Sequence, residues 1–102
     1  MISIDLTKIK RFKRLSINTI KKFLHPDEIE EFNCLKKEKK PTFLATRWAI
    51  KECIYKIDNS LFDFKKLLIK KTNEGKYIFL DFQLSTTIED GYVAAVAFKK
   101  ND

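Results

Sequence analysis

Glycine, proline, cysteine and histidine are all scarce in this chain. Its 102 residues include two glycines, two prolines, two cysteines and one histidine, whereas 44% of the residues are hydrophobic. This balance excludes a disordered or low-complexity chain and predicts one compact domain over residues 1–102. Cys34 and Cys53 are too far apart in sequence to form a close metal-binding pair, and nothing positions His25 as a base beside either thiol. A zinc site and a Cys–His nucleophile are therefore not indicated.

Long hydrophobic runs are also missing. No segment approaches the roughly 18 consecutive apolar residues that a membrane-spanning helix needs. The first residues, Met-Ile-Ser-Ile-Asp, lack the layout of a secretory signal. We therefore expect a cytoplasmic protein that has no membrane partner.

Acidic residues are absent from a long stretch near the start of the chain. Between Asp5 and Asp27 every side chain with a formal charge is basic, and the net charge of the whole chain is +7. The apolar residues between the basic ones have the spacing of an amphipathic helix, or of two short helices broken near residues 16–18. An unbalanced surface of one sign usually serves a partner of the opposite sign. This stretch therefore predicts a docking surface for an acidic partner.

The first third of the chain predicts a strand and a capped helix. Residues 2–6 alternate between apolar and polar side chains, which indicates a strand that carries Asp5 on its polar face. His25 and Pro26 mark the start of a helix, because proline suits the first helical position. The basic run 36–41, which ends in a proline, is expected to break that helix.

A long central helix is predicted over residues 43–56, which are apolar over most of their circumference at helical pitch. Glu52 and Lys56 fall one turn apart between its two apolar flanks, in line with Ala45 and Ala49. A Glu–Lys pair at this spacing is commonly a surface pair that stabilises a helix by only about 0.3 kcal/mol. The alternative is a functional pair, since the small alanines leave room for a ligand beside the carboxylate.

The last third of the chain has the composition of strands and turns. Strands are predicted at 64–71, 77–82 and 92–98, and residues 84–87 either continue the second of these or form a further strand. Together with the helices, they predict an α+β fold in which a small, mostly antiparallel sheet packs on the long central helix.

Residues 43–52 read F-L-A-T-R-W-A-I-K-E, and they resemble the signature F-L-A-x-R-[FW]-A-x-K-E of the bacterial holo-[acyl-carrier-protein] synthases. These enzymes are small phosphopantetheinyl transferases. Asp5, with the basic Arg11 six residues on, resembles the opening motif of the same family. Weaker matches are found at Glu28, at 84–87 and at 93–97. The similarity covers nearly the whole chain.

The resemblance implies a reaction and a set of residues. The 4′-phosphopantetheine of coenzyme A would pass to a serine of an apo-acyl carrier protein, and adenosine 3′,5′-bisphosphate would leave. Asp5, Glu52 and Lys56 would be catalytic, with the two carboxylates holding Mg²⁺, an ion that prefers such ligands. The residues implied in binding coenzyme A are Lys39, Lys40, Arg47, Lys56, Ser85 and Thr87.

The resemblance also gives the basic stretch a partner, because acyl carrier proteins are small and acidic. The residues implied in holding the carrier are Arg11, Arg14, Lys21 and Lys22. Short members of the family are trimers with sites between subunits, so we expect a homotrimer in which Ser85 and Thr87 complete a neighbour's site. The chain departs from the family at Ile88, where a histidine is common, and at 58–61, where a glycine-rich turn is common.

A small basic nucleic-acid-binding module is the alternative interpretation. The net charge of +7 and thirteen aromatic residues favour it. However, the phenylalanines fall mainly at core-like spacings, and no RNP, KH or zinc signature is present. We therefore expect no nucleic-acid partner.

Overall fold

One antiparallel sheet and one long helix make up most of the fold. The computed structural model describes residues 1–100. The strands are β1 (Ile2–Lys8), β2 (Lys70–Lys71), β3 (Tyr77–Phe79), β4 (Phe82–Glu89) and β5 (Tyr92–Phe98). The helices are α1 (Ile17–Ile20), α2 (Pro26–Asn33) and α3 (Lys40–Ile57), with 3-10 turns at Ile9–Phe12, Lys37–Lys39 and Phe64–Lys66. The strand order β1-β5-β4-β3-β2, with every neighbouring pair antiparallel, confirms the predicted fold class.

Helix α3 packs against β1 and β5 through small side chains. Ala45 and Ala49 of the helix are fully buried, and so is Ala97 of β5. Without long side chains between them, the backbones of the helix and the sheet approach closely. Within residues 1–100, no helix has the length and apolar character needed to cross a membrane.

The outer and inner faces of β1 have an unusual polarity. Ile2, Ile4 and Leu6 are 72%, 67% and 65% exposed, whereas Asp5 and Thr7 face α3. Alternation along a strand places successive side chains on opposite faces, so the predicted strand is confirmed. Its apolar face is nevertheless turned away from the core, and its polar face is turned inward.

The helix starts follow from their capping residues. His25 caps α2: its ring accepts the backbone N–H of Asp27, and the Glu28 side chain accepts the N–H of His25, which completes a capping box. The predicted break by proline at the end of this helix is wrong. The helix ends at Asn33, and Pro41 lies in the first turn of α3, where its missing N–H costs no hydrogen bond.

The strand predicted at 64–71 is mostly absent, because its backbone groups bond to buried side chains instead of to a sheet. The Phe64 carbonyl accepts a hydrogen bond from Lys51, and the Ile69 N–H donates to Glu28. Only Lys70–Lys71 pairs as a strand. The strand predicted at 77–82 is divided by Leu80, whose φ of 47° turns the chain between β3 and β4.

The basic stretch near the start of the chain forms two short helical pieces. Of the two predicted alternatives, one amphipathic helix or two short ones, the second is confirmed. A 3-10 turn over Ile9–Phe12 is followed by α1, and the break comes just before Ser16. Ser16 caps α1 by accepting the N–H of Thr19.

Candidate active site

Asp5 and Lys56 meet although 51 positions separate them in the sequence. The ammonium nitrogen of Lys56 lies 3.4 Å from Asp5 Oδ1 and donates a 2.7 Å hydrogen bond to the carbonyl of Ile4. Asp5 is 16% exposed and Lys56 is 46% exposed, so the pair is open to solvent on one side. It lies where β1 crosses the end of α3.

Glu52 belongs to the same group of charges. Its pKa is raised, first by burial and then by the negative charge of Asp5, while Lys56 and Arg11 act in the opposite direction. A carboxylate raises the pKa of another only when the two are close, because solvent and salt screen distant charges. The structure therefore brings the three predicted catalytic residues into one neighbourhood, with Arg11 at its edge.

Hydrogen bonds from β1 hold this junction in place. Thr7 Oγ1 donates a 2.8 Å hydrogen bond to Asp5 Oδ2 and so fixes the orientation of the carboxylate. Ser3 Oγ donates a 2.7 Å hydrogen bond to the carbonyl of Cys53, which ties the strand to the helix next to Glu52. Burial raises the pKa of the Cys53 thiol to about 11, so this cysteine is an unreactive part of the core. The inward polar face of β1 thus serves the site.

The site offers the donors that a hard divalent cation prefers. Asp5 and Glu52 supply carboxylate oxygens, and no cluster of three or more histidine, cysteine, aspartate or glutamate side chains occurs within residues 1–100. Mg²⁺ is typically held by one or two carboxylates together with substrate phosphates and water. Burial and the neighbouring Asp5 carboxylate raise the pKa of Glu52, which marks a carboxylate that a bound cation would stabilise. This donor set fits Mg²⁺.

Arg47 lies on another face of α3 and is not part of this group. Its guanidinium is 2% exposed, with Nε 3.4 Å from Glu28 Oε2 and Nη2 3.5 Å from Glu31 Oε2. The centre of the guanidinium lies 4.4 Å from the ring of Phe43. The Nε of Arg47 is buried and has no hydrogen-bond partner among the described residues. Within one chain, Arg47 therefore does not face Asp5 or Glu52.

A cavity of about 430 Å³ opens beside Arg47. Lys39, Lys71, Tyr77 and Ile88 also line it. The sequence predicts Lys39 for phosphate binding but misses Lys71, which reaches this cavity through the cross-strand pairing of β2 with β3. That pairing leaves no clear signal in the sequence.

Lys40 does not line the cavity beside Arg47. It lines a different one, together with Pro41, and its ammonium lies 4.9 Å from the centre of the Phe32 ring. Lys39 and Lys40 are consecutive residues at the start of α3, and their side chains line different cavities.

Ser85 and Thr87 lie on the outer face of the sheet. They pair across strands with Val96 and Ala94, which are in turn paired with Ile4 and Leu6 of β1. Both side chains are exposed, on the opposite side of the sheet from α3. Within one chain they lie on the opposite face of the sheet from Asp5, where they share a pocket with Ile4 on the exposed apolar surface described above.

The four predicted carrier-binding residues are all exposed. Arg11 lies in the first 3-10 turn, with its guanidinium 5.4 Å from the centre of the Phe12 ring, and Arg14 follows in the next turn. Lys21 and Lys22 follow α1 directly. A basic surface therefore begins next to Glu52 and continues past α1.

Two important charged residues are missed by the sequence reasoning. Lys51 enters it only as a letter of the signature, and Glu28 only as a weak match. Both side chains have no exposure, and Lys51 Nζ lies 2.5 Å from Glu28 Oε1. The sequence does contain a clue to the burial of Lys51, because this residue falls on the same flank of the helix as the apolar Leu44 and Trp48.

Comparisons with known proteins agree with this geometry. The family model of the 4′-phosphopantetheinyl transferase superfamily matches residues 1–97. The chain is 45% identical over 100 residues to the holo-[acyl-carrier-protein] synthase of Mycoplasma mobile, covering 98% of this chain and 89% of that relative. It is 43% identical to the synthase of Mycoplasmopsis pulmonis, covering 97% and 89%.

Solved structures show the same fold at lower identity. One is the holo-(acyl-carrier-protein) synthase of Bacillus anthracis in complex with CoA (3′,5′-ADP), which superposes with a TM-score of 0.84 at 21% sequence identity. The superposition covers 94% of this chain and 91% of the Bacillus anthracis chain. The Helicobacter pylori enzyme in complex with coenzyme A gives 0.76 at 24% identity, covering 95% and 97%. The chain therefore belongs to the holo-[acyl-carrier-protein] synthases of the 4′-phosphopantetheinyl transferase superfamily, as its sequence indicates.

Proposed function

We propose that this chain transfers 4′-phosphopantetheine from coenzyme A to a serine of an apo-acyl carrier protein, with Mg²⁺ required and adenosine 3′,5′-bisphosphate released. The observation that carries the proposal is the meeting of Asp5, Glu52 and Lys56 at the junction of β1 with α3. The similarity to holo-[acyl-carrier-protein] synthases, two of which form complexes with coenzyme A, supports it.

The chemistry follows from the charges. The serine hydroxyl gives up its proton to Asp5 through a water molecule, and its oxygen attacks the phosphorus that carries pantetheine. The bond from that phosphorus to the bridging oxygen of the pyrophosphate breaks, and adenosine 3′,5′-bisphosphate leaves. Such a transfer depends on in-line placement and neutralisation of charge more than on covalent help from the protein. Bound Mg²⁺, held by Asp5 and Glu52, would neutralise charge on the pyrophosphate. Lys56 would hold the transferred phosphate, because its ammonium lies beside Asp5 and therefore close to the position proposed for Mg²⁺.

The direct test is the mass of a carrier protein. A purified apo-acyl carrier protein is incubated with coenzyme A, Mg²⁺ and this chain, and is then weighed by mass spectrometry. We expect the mass of the carrier to increase by one phosphopantetheine. EDTA should prevent this increase, and excess Mg²⁺ should restore it. A carrier whose target serine is replaced by alanine is the control. An unchanged mass in the presence of folded enzyme would refute the proposal.

The exposed basic surface next to this site is proposed to hold the carrier. Arg14 and its basic neighbours carry positive charge, whereas carriers of this type are acidic, so electrostatic attraction would orient the partner. We expect Arg14→Glu to raise the KM for the carrier by about tenfold while the KM for coenzyme A changes little. Steady-state kinetics with each substrate varied in turn measures both values.

Two controls separate docking from general effects. Lys76→Glu makes the same reversal of charge in the exposed turn between β2 and β3 and should leave the KM for the carrier unchanged. Raising the salt concentration should mimic Arg14→Glu, because salt screens exposed charges. If Arg14→Glu alters both KM values equally, the surface serves coenzyme A instead.

The active unit is proposed to be a homotrimer in which Ser85 and Thr87 serve a neighbour's site. In the isolated chain these residues lie away from the carboxylates, and the outer sheet face exposes Ile2, Ile4 and other apolar side chains. A large apolar surface of this kind is usually covered by another protein surface.

Light scattering coupled to size exclusion tests the assembly. We expect three times the 12.1 kDa chain mass for the wild type and a smaller species for Ile4→Glu. Ile17→Glu, at an exposed site on α1 and away from the sheet, is the matched control and should keep the assembly intact. A wild type at the mass of one chain would contradict the trimer.

A further inference from the structure

Lys51 is a fully buried lysine whose three N–H groups are all used. Its ammonium donates to Glu28 Oε1 at 2.5 Å, to the carbonyl of Phe23 at 2.7 Å and to the carbonyl of Phe64 at 3.0 Å. Burial lowers the pKa of Lys51, and the negative charge of Glu28 opposes this shift. An ammonium is tolerated in the interior only when it is paired this completely.

Glu28 completes the arrangement from the other side. Its Oε1 also accepts the backbone N–H of His25 at 2.9 Å, and its Oε2 accepts the backbone N–H of Ile69 at 3.2 Å. The Lys51–Glu28 pair therefore joins α2 and α3 to two connecting segments. One segment is the connection between α1 and α2, and the other is 64–69.

These two segments form opposite walls of a cavity of about 620 Å³. The connection between α1 and α2, with the start of α2, supplies one wall, and the 3-10 turn Phe64–Lys66 supplies the other. The lining includes three apolar residues and three lysines: Leu24, Pro26, Ile29, Lys21, Lys65 and Lys66.

The lining has a chemistry that matches an acidic protein. Lysines occur on both walls, beside apolar side chains. The ammonium groups of Lys65 and Lys66 lie 2.9 Å and 3.7 Å from Asp63 carboxylate oxygens, but both lysine side chains are more than half exposed. The cavity therefore suits an apolar side chain flanked by carboxylates, which would share these ammonium groups with Asp63. Lys21 is shared with the basic surface proposed above for the carrier, so the cavity continues that surface. Lys65 and Lys66, on the second wall, extend it beyond the stretch that the sequence predicts.

We propose that Lys51 and Glu28 are a positioning pair that holds the two walls of this cavity at a fixed separation, and that the cavity is a second part of the surface on which the acidic carrier docks. The identity of the partner rests on the proposed function. The link between the walls does not depend on that identity: it consists of the hydrogen bonds of Lys51 and Glu28, together with the packing of Trp48 against the rings of Phe23 and Phe64. In this role Lys51 acts through the carbonyls of Phe23 and Phe64 and touches no reacting group.

Kinetics of Lys51→Met test the effect on docking. Methionine keeps most of the length of lysine but donates no hydrogen bond to either wall. We expect the KM for the carrier to rise about tenfold, with kcat and the KM for coenzyme A within about twofold of wild type. Lys76→Met, the same change at an exposed lysine outside the cavity, should alter none of these values. An unchanged KM for the carrier, or equal changes for both substrates, would overturn the proposal.

Amide hydrogen exchange tests the walls without using activity. In Lys51→Met, residues 21–25 and 64–69 should exchange faster, while β5 should keep its protection. Adding the apo-carrier to the wild type should protect both segments. If the carrier leaves 64–66 unprotected, the second wall is not part of the docking surface, and the proposal is wrong.

Two further outcomes have distinct meanings. If Lys51→Met does not fold, the variant Glu28→Gln/Lys51→Met removes both buried charges at once and takes its place. If neither variant folds, protection of the wild type by the carrier decides. If the wild type transfers no phosphopantetheine, the proposed function fails, whereas exchange in the variant still shows whether Lys51 holds the walls together.

Discussion

Helix α3 carries two groups of charges that are built in opposite ways. The buried cluster consists of Glu28, Arg47 and Lys51, in which the carboxylate is surrounded by donors and has no exposure. The open cluster consists of Asp5, Glu52 and Lys56, in which two carboxylates share one partly exposed lysine.

The difference between the two clusters teaches how to separate structural charges from functional ones. In the buried cluster the hydrogen bonds of Lys51 and Glu28 are satisfied within the chain, so the charges stabilise the arrangement of neighbouring segments. In the open cluster two carboxylates lie close together beside a single lysine, and the pKa of Glu52 is raised, first by its burial and second by the negative charge of Asp5. An acid held in such an unfavourable environment is typical of a site that awaits a cation or a substrate.

The largest effect is expected for Glu52→Gln in the open cluster. Removing one of the two proposed metal ligands should lower the transfer rate by about a thousandfold, since charge stabilisation by a metal contributes several kcal/mol. Transfer is measured by mass spectrometry of the carrier under initial-rate conditions.

The thermal stability of the same variant should not fall. The pKa of Glu52 is higher in the folded chain than in the unfolded chain, so its ionisation weakens folding as the pH rises above about 4.5. Glutamine carries no charge and removes this weakening. In EDTA at pH 7, the melting temperature of Glu52→Gln should equal or exceed that of wild type, and the gain should vanish in acid. A lower melting temperature would place Glu52 with the structural charges.

In the buried cluster the corresponding change, Glu28→Gln, should act on stability. It leaves the Lys51 ammonium buried without its counter-ion, a situation that typically costs about 3 kcal/mol or more. Urea unfolding followed by circular dichroism measures the free energy. A loss below about 1 kcal/mol would mean that Arg47 and Lys51 readjust to a neutral partner.

The smallest effect is expected for Glu31→Gln, which sharpens the comparison within one guanidinium. Arg47 lies 3.5 Å from Glu31 and 3.4 Å from Glu28, yet the Glu31 side chain is 50% exposed whereas Glu28 has no exposure. Exposed ion pairs contribute about 0.5 kcal/mol, so urea unfolding should show a change of that order. Equal losses for Glu28→Gln and Glu31→Gln would show that burial does not control the contribution of these pairs.

The sequence predicts the parts of this molecule that depend on local pattern. The alternation in β1, the helix start at His25 and Pro26 and the long apolar helix are local, and all three are present. The meeting of Asp5 with Lys56 is predicted from family resemblance, because no local pattern states which strand lies beside which helix.

What the sequence does not predict depends on backbone groups bonding to distant side chains. The segment 64–71 has the apolar content of a strand, but Lys51 and Glu28 bind its backbone and prevent regular pairing. The same reason hides the structural importance of Lys51, whose partners lie 13 to 28 positions away. Arg47 is a further example. Its guanidinium group has the shape to bind a phosphate, but in the single chain it lies beside the carboxylates of Glu28 and Glu31 and the ring of Phe43.

The opposed faces of β1 have a consequence for the chemistry. Ile4 points its side chain outward, while its carbonyl accepts the hydrogen bond of Lys56 and the next residue, Asp5, points inward. A copy of the chain that covers Ile4 would therefore steady the strand that carries the catalytic acid. Dilution to the point where the copies separate should then lower turnover per chain, so the concentration of the protein would itself regulate its activity.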